Sequence, residues 1–509
     1  FGSHNLTVMA GFENYYMKSE SLGAARDKYE LTGYPYLNIG SEDFQTNSGT
    51  GSEYTSNSVF GRVIYSYADR YLFQANVRHD GSSRFAKGYR WGTFPSFSAG
   101  WVASEEKFMK NLKWDWLSFL KLRGSWGMLG NERIGSNYFP YIALMSFGNS
   151  LFYMADGSVV SDKTARPAVL AVEDITWETT TSTDLGLDVN FLNNRLQFHF
   201  DYYWKETKDM LLNIEIPYFM GYNNPSTNAG KMSTHGYDIE VAWNDQIGDF
   251  KYGVNVNFSD FLSKIDYMND GEQISGGKIK RAGVLFNEFY GYVCEGIYQT
   301  QEEVNNSART STTVTVGDLK YRDISGPDGV PDGVISPEYD RVPLGNSLPR
   351  FQYGGSLNAS YKGIDFSLAF QGIGKQNSYL STSMVQPLRD NYGNVPAILE
   401  GKYWSPFNTT EENLAAKYPR LSNVSKSNNY ATSNFWMFNG SYFRLKNITL
   451  GYTLPKSWTQ KAGINRARFY VSGSDLFCLS NFPSGWDPEM GTSDYPITTS
   501  LVMGIQVNF

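Results

Sequence analysis

Long apolar runs are missing from this chain: no stretch approaches the roughly 18 residues that a membrane-crossing helix requires. Mean hydropathy is −0.41, and a hydropathy scan alone would class the chain as water-soluble. Thiols are scarce too. Cys294 and Cys478 are the two cysteines in 509 residues, without CxxC spacing, and they read as unrelated thiols or one optional disulfide. The four histidines, His4, His79, His199 and His235, make no HExxH or similar metal spacing. There is no GxSxG elbow and no Walker-type phosphate loop. Carboxylates are common, but a glycosidase needs two of them at a defined separation across a cleft, and no motif marks such a pair. No catalytic residue is expected, and the chain reads as a non-enzyme. Basic blocks are absent as well, and the net charge of −7 argues against nucleic acid as a partner. The sequence opens on Phe1 with no starting Met and no signal peptide there, as expected of a mature segment or an interior piece of something longer.

What is abundant is aromatic. Tyr, Phe and Trp (36, 33 and 12 residues) make up 16 % of the chain, alongside 49 Gly. That enrichment, without apolar runs, suits β-rich architecture and the aromatic girdles of outer-membrane barrels. The stretch "ADRYLFQANVRHDGSSRFAKGYRWGTFPSFSAGW" (68–101) shows how the residues are used. Tyr71, Phe73, Ala75 and Val77 face one way, and Gln74, Asn76 and Arg78 face the other; beyond a polar loop, Pro95, Phe97, Ala99 and Trp101 share a face. A two-residue period means strands with one apolar side. It returns at 120–129, 185–205, 250–258, 364–372 and 501–509, and none of these apolar faces carries a charge.

A sandwich core and a bilayer both exclude charge, so the solvent of the apolar face rests on three further features. The opposite faces carry Gln, Asn, Ser and Gly as well as charges, as a hydrated lumen does. Short links (Ala68–Arg70, Asn193–Asn194, Asp245–Asp249, Lys362–Gly363) alternate with mostly long polar excursions near 18–55, 130–180, 206–235, 260–350, 373–440 and 479–498. Outer-membrane barrels have this alternation of short periplasmic turns and long outer loops; the link at 104–118 is long for its side. Finally, the last strand ends on Phe509, like the aromatic assembly signal of such barrels. The reading is an all-β, transmembrane antiparallel barrel wall of about 14 strands of membrane-crossing length. The first strand runs outward and the last returns to the periplasmic side.

Several stretches then carry a resemblance: "YADRYLFQANVRHDGSSRFAKGYRWGTFPSFSAGWVASEEKFMKN", "ITWETTTSTDLGLDVNFLNNRLQFHFDYYWKETKDML", "NAGKMSTHGYDIEVAW", "EFYGYVCEGIYQTQEE" and "NGSYFRLKNITLGYTLP". They are long, follow one order and span most of the chain. The sequence resembles SusC/RagA-type TonB-dependent transporters of Bacteroidetes. That resemblance implies a plugged barrel of about 22 strands, of which residues 1–509 would supply the C-terminal portion, with the plug domain and first strands outside it. It implies a site in the outer membrane, a TonB complex engaged through the missing N-terminal part, and a SusD-like surface lipoprotein over the outer mouth. The implied cargo is a bulky nutrient, an oligosaccharide in the first place, with oligopeptides as the alternative. A passive porin and a secreted carbohydrate-binding or hydrolytic β protein are the readings of other classes.

One loop reads as a metal candidate. In "YRDISGPDGVPDGVISPEYDR" (321–341), Asp323, Asp328, Asp332 and Asp340 are interspersed with Gly326, Gly329 and Gly333. Oxygen ligands on a glycine-kinked loop are what Ca²⁺ uses, and a structural calcium there would stiffen an outer loop; the other reading is an exposed Asp-Gly turn cluster. No cofactor is otherwise required. Tyr89, Trp91, Trp404 and Trp486 fall in expected outer loops, as glycan platforms or, more in keeping with their number, as loop packing and interfacial anchors. Substrate-binding residues are not legible.

Overall fold

The chain is described by a computed structural model at all positions except 1, 35, 113, 136–137, 270, 383–384, 390–394 and 492–494. One antiparallel sheet of 14 strands dominates it. In chain order these are β1 (His4–Arg26), β2 (Gln45–Tyr67), β3 (Tyr71–Ser82), β4 (Trp91–Val102), β5 (Leu117–Asn131), β6 (Glu178–Phe191) and β7 (Leu196–Lys208). They continue as β8 (Gly230–Ile247), β9 (Phe250–Met268), β10 (Arg350–Tyr361), β11 (Ile364–Lys375), β12 (Tyr442–Thr453), β13 (Arg466–Ser480) and β14 (Ser500–Asn508). Each pairs with the strand before and after it, so the sheet is a pure meander.

Register aligns the apolar positions into one continuous band. Val8 lies opposite Val63, Val63 opposite Ala75, Ala75 opposite Phe97 and Phe97 opposite Trp126. Leu122, Leu187, Phe200 and Ile239 continue it, and Leu357, Leu368 and Ile448 extend it further. Among the described residues, no loop packs over this band, and many of its side chains stand open. Val8 is 67 % exposed, Phe12 68 %, Leu185 54 % and Met503 73 %. Burying a Val, Leu or Phe side chain is worth about 1.5–3 kcal/mol, so a water-facing band on this scale would be prohibitive. The buried apolar clusters sit instead within the outer loops and where these meet the inward strand faces, as in the group Phe85, Phe94 of β4, Ile134, Ile175 and Trp177. A sandwich has the opposite arrangement. The band is the lipid-facing surface of a membrane wall.

The two rims differ as a barrel's do. One rim carries the links 68–70, 103–116, 192–195, 248–249, 362–363 and 454–465; the other carries 27–44, 83–90, 132–177, 209–229, 269–349, 376–441 and 481–499. The loop expected near 18–55 is much shorter than that. β1 and β2 are 23 residues each and stay paired from His4–Tyr67 to Arg26–Gln45, roughly twice the 9–11 residues of a tilted membrane strand. Their outer halves are rich in Ser, Thr and Gly because both faces there are wet, so alternation no longer marks the strand.

Short links are built from left-handed residues, which tighten two-residue hairpins. At the β10–β11 turn Lys362 has φ 44° and Gly363 φ 89°. A Cβ on Gly363 would stand 2.7 Å from the Thr453 carbonyl oxygen. Gly363→Ala is expected to cost about 1–2 kcal/mol through that backbone strain, read as a lower urea midpoint for barrel refolding in lipid vesicles.

Candidate functional site

The inward face of the wall is ionic. Arg123 of β5 reaches across β6 to β7: its Nη1 lies 2.5 Å from Asp201 Oδ1 and its Nη2 donates to Asp201 Oδ2 at 2.6 Å. Its Nε donates to Asp188 Oδ1 at 3.2 Å, and Asp184 lies 3.6 Å from Nη1. Gly186 makes the reach possible, because a Cβ there would occupy the guanidinium's place. His199 Nδ1 stands 3.0 Å from Asp188 Oδ1. On β8, Asp238 lies directly opposite Asp201. Like charges opposed across a ladder repel, and Arg123 offsets part of that. Beyond this network the wall is hollowed between β7 and β12, where His199, Asp238, Asn257, Gln352, Gln371 and Tyr442 line the surface. Carboxylate, amide, imidazole and phenol groups there offer hydrogen bonds to a polar solute.

Nearer the outer rim, the Arg444 side chain on β12 is 3 % exposed. Its Nη2 donates to both oxygens of Asp487 at 2.7 Å, and its Nε lies 2.5 Å from Glu489 Oε1. Gln371 Nε2 also donates to Glu489, at 3.1 Å. The last outer loop is thereby tied to the wall. A bulge between β12 and β13 supports the arrangement, with Asp475 at φ 51° and 2.7 Å from Lys446 Nζ.

The two longest outer loops, 269–349 and 376–441, form one body. Asp318 is fully buried. It accepts from Arg420 Nε at 2.7 Å, Ser425 Oγ at 2.8 Å, Asn429 Nδ2 at 3.0 Å and the Thr315 N–H at 2.9 Å. Asn429 Oδ1 accepts from the Leu319 N–H at 2.9 Å, Asn428 Nδ2 donates to the Leu319 carbonyl at 2.9 Å, and the Tyr321 hydroxyl donates to the Asn428 carbonyl at 2.6 Å. Around these bonds lie Tyr292, Leu319, Tyr321 and Ile335. The loops therefore carry a core of their own.

The Asp-Gly loop belongs to this body, and its carboxylates serve its own backbone. Asp340, fully buried, accepts from the N–H groups of Ile324 at 2.7 Å, Ser325 at 3.2 Å and Ser336 at 2.7 Å. Asp323 accepts from Gly333 N–H at 2.7 Å and Asp332 from Val334 N–H at 3.0 Å, while Asp328 is exposed. Among the described residues no three His, Cys, Asp or Glu side chains converge as metal ligands. Of the residues expected as a calcium set, Asp323, Asp332 and Asp340 bond turn N–H groups, Asp328 stands exposed, and Asp323 Oδ1 is buried without a hydrogen bond. Gly333 turns the chain so that Ile335 enters the core.

The candidate aromatics divide as packing and interface. Trp404 is buried and donates through Nε1 to Gln299 at 3.2 Å, and Trp486 packs on Leu380, Val385 and Phe482. Trp91 stacks on His79 at 4.8 Å on the outward face, and Tyr89 is exposed. Cys294 and Cys478 are free thiols, and burial pushes Cys294 up to about 11, leaving it without thiolate character at neutral pH.

Comparison with known proteins agrees with this geometry. Residues 1–472 match the family model described as TonB dependent receptor-like, beta-barrel. TonB-dependent receptor P3 of Formosa agariphila is 30 % identical over 547 aligned positions, covering 100 % of this chain and 51 % of that protein. TonB-dependent receptor SusC of Bacteroides thetaiotaomicron is 28 % identical, with 100 % of this chain and 49 % of SusC covered. The chain thus spans about half the length of the curated relatives it matches. Among solved structures, the RagAB peptide transporter superposes with a TM-score of 0.80 at 24 % identity, over 100 % of this chain and 54 % of that one. Strand meander, lipid-facing band, rim asymmetry and these matches converge: the chain belongs to the TonB-dependent receptor-like β-barrels, of the SusC/RagA type, and is an integral wall of the bacterial outer membrane.

Proposed function

We propose that this chain forms the wall and outer cap of an importer that draws an oligosaccharide across the outer membrane, energised through TonB and served by a SusD-like lipoprotein seated over the long-loop rim. Further strands close the wall and a plug fills its lumen; β1 and β14 each pair on one side only in this sheet, and unpaired backbone in hydrocarbon costs several kcal/mol per group. The observation that carries the cargo class is the hollow between β7 and β12. Its carboxylate, amide and phenol groups, around Asp238, Gln352, Gln371 and Tyr442, match the alternating donors and acceptors of sugar hydroxyls. The wall performs no bond chemistry. It holds cargo above the plug while the TonB-driven movement opens a path.

Uptake by cells that depend on this transporter tests the reading, with fluorescent neutral oligosaccharides and fluorescent peptides offered in parallel. Oligosaccharide accumulation that collapses when an uncoupler dissipates the proton gradient is the expected result. Peptide accumulation in its place would assign the cargo to the alternative, and uptake insensitive to the uncoupler would make the barrel a passive pore.

A further inference from the structure

The link between β4 and β5, residues 103–116, is far longer than a periplasmic turn needs to be, and its course explains why. Its first part is held on the outward side of the barrel foot. Glu106 accepts from the Tyr71 hydroxyl at 2.5 Å, from Trp101 Nε1 at 3.2 Å and from Arg70 Nη1 at 3.0 Å. Tyr71 and Trp101 are a cross-strand pair on the lipid-facing side of β3 and β4. Its last part returns on that same side: Trp116 stacks on Phe191 at 5.8 Å, at the foot of β6, and on Trp114 at 5.4 Å. Between these two attachments runs the short helix α1 (Lys107–Asn111). Phe108, Leu112, Trp114 and Trp116 are 54, 48, 44 and 49 % exposed; Lys107 is exposed beside them, and Lys110, also exposed, pairs with Glu105 at 2.5 Å.

We infer that this link is a membrane anchor lying in the periplasmic-side interface of the bilayer, with its rings and Leu112 at the headgroup–acyl boundary and Lys107 toward lipid phosphates. The inference rests on the reading that the apolar strand band faces lipid. Continuity with that band names the occupant: an apolar strip attached at both ends to lipid-facing side chains lies where the hydrocarbon edge begins. Exposed rings and a leucine with a lysine among them suit an interfacial segment, and Trp and Tyr concentrate at such boundaries. A periplasmic protein docked on the strip is the rival occupant.

Depth measurement decides between them. In the intact transporter with Cys294→Ser and Cys478→Ser, single cysteines replace Phe108, Val63 in the lipid-facing band, or Asp249 in a two-residue turn. Each is spin-labelled and reconstituted in phospholipid bilayers, where collision with oxygen is compared with collision with a water-soluble nickel chelate. The oxygen-to-nickel ratio at position 108 is expected to fall between a high value at 63 and a low value at 249. A ratio at 108 equal to that at 249, or collisions suppressed for both reagents as under a protein, overturns the anchor. A low ratio at 63 would instead overturn the lipid reading of the whole band, so the two failures are distinguishable. As a check that does not depend on labelling, Trp114→Phe with Trp116→Phe should remove a share of the tryptophan quenching produced by lipids brominated near the glycerol backbone. Unchanged quenching would count against the anchor.

Discussion

Phe200→Arg is expected to reduce the folded transporter in the outer membrane sharply, whereas His199→Arg, one residue away, leaves it near the unsubstituted level. Phe200 is centred in the part of β7 that crosses the bilayer, opposite Leu187 on β6 and Ile239 on β8. Arginine at the bilayer midplane of a barrel costs about 2–4 kcal/mol. With each 1.4 kcal/mol worth a factor of ten in equilibrium, that is a large share of a total stability of about 5–15 kcal/mol. His199 faces the lumen, where Asp188 is 3.0 Å away and Glu240 stands opposite on β8. A fixed positive charge there meets two carboxylates and water. Heat-modifiable mobility of outer-membrane fractions reads the folded barrel directly. Equal assembly of both variants would mean that the two faces of β7 have been assigned the wrong way round.

That contrast was legible in sequence because alternation survives wherever one face of a strand meets lipid and the other meets water. It fails where both faces are wet. Residues 18–26 and 45–54 continue the first hairpin for many residues, yet their Ser, Thr and Gly content reads as loop. The wall's ionic network was out of reach for another reason: Arg123 and Asp201 stand 78 positions apart, and Asp318 and Arg420 stand 102 apart. No local pattern marks such pairs, and only the strand order brings them together. Gly186 is the nearest thing to a sign, an unneeded glycine in an otherwise regular strand, and its meaning appears only once Arg123 is seen crossing it. The Asp-Gly loop shows the converse difficulty. Its composition serves cation binding and turn capping equally well, and residue types alone do not show which backbone N–H groups Asp323 and Asp340 bond.

Asp318→Ala is expected to open the outer cap while leaving the barrel intact. The carboxylate joins the two longest outer loops at a point with no access to water, and it is the shared acceptor for Arg420, Ser425, Asn429 and the Thr315 N–H. Its removal strands a guanidinium that is one-quarter exposed, together with an amide and a hydroxyl. Breaking a buried ion pair by deleting one partner costs about 3–5 kcal/mol. The apolar clusters around Tyr298 and Tyr321 remain, so the loops should loosen at this seam without unfolding outright. Limited trypsin digestion of intact cells should then cut within 269–349 and 376–441, where the unsubstituted transporter resists, while the membrane fraction keeps the heat-modifiable shift of a folded barrel. Asp318→Leu combined with Arg420→Met should recover part of the resistance, because it removes the stranded charge as well as the pair. Resistance unchanged in Asp318→Ala would mean that the two loops are held by their apolar clusters alone and that the cap can part at this seam without loss. Resistance lost together with the heat-modifiable shift would mean instead that cap and wall fold as a single unit, with Arg444 and the last outer loop carrying the strain from one to the other.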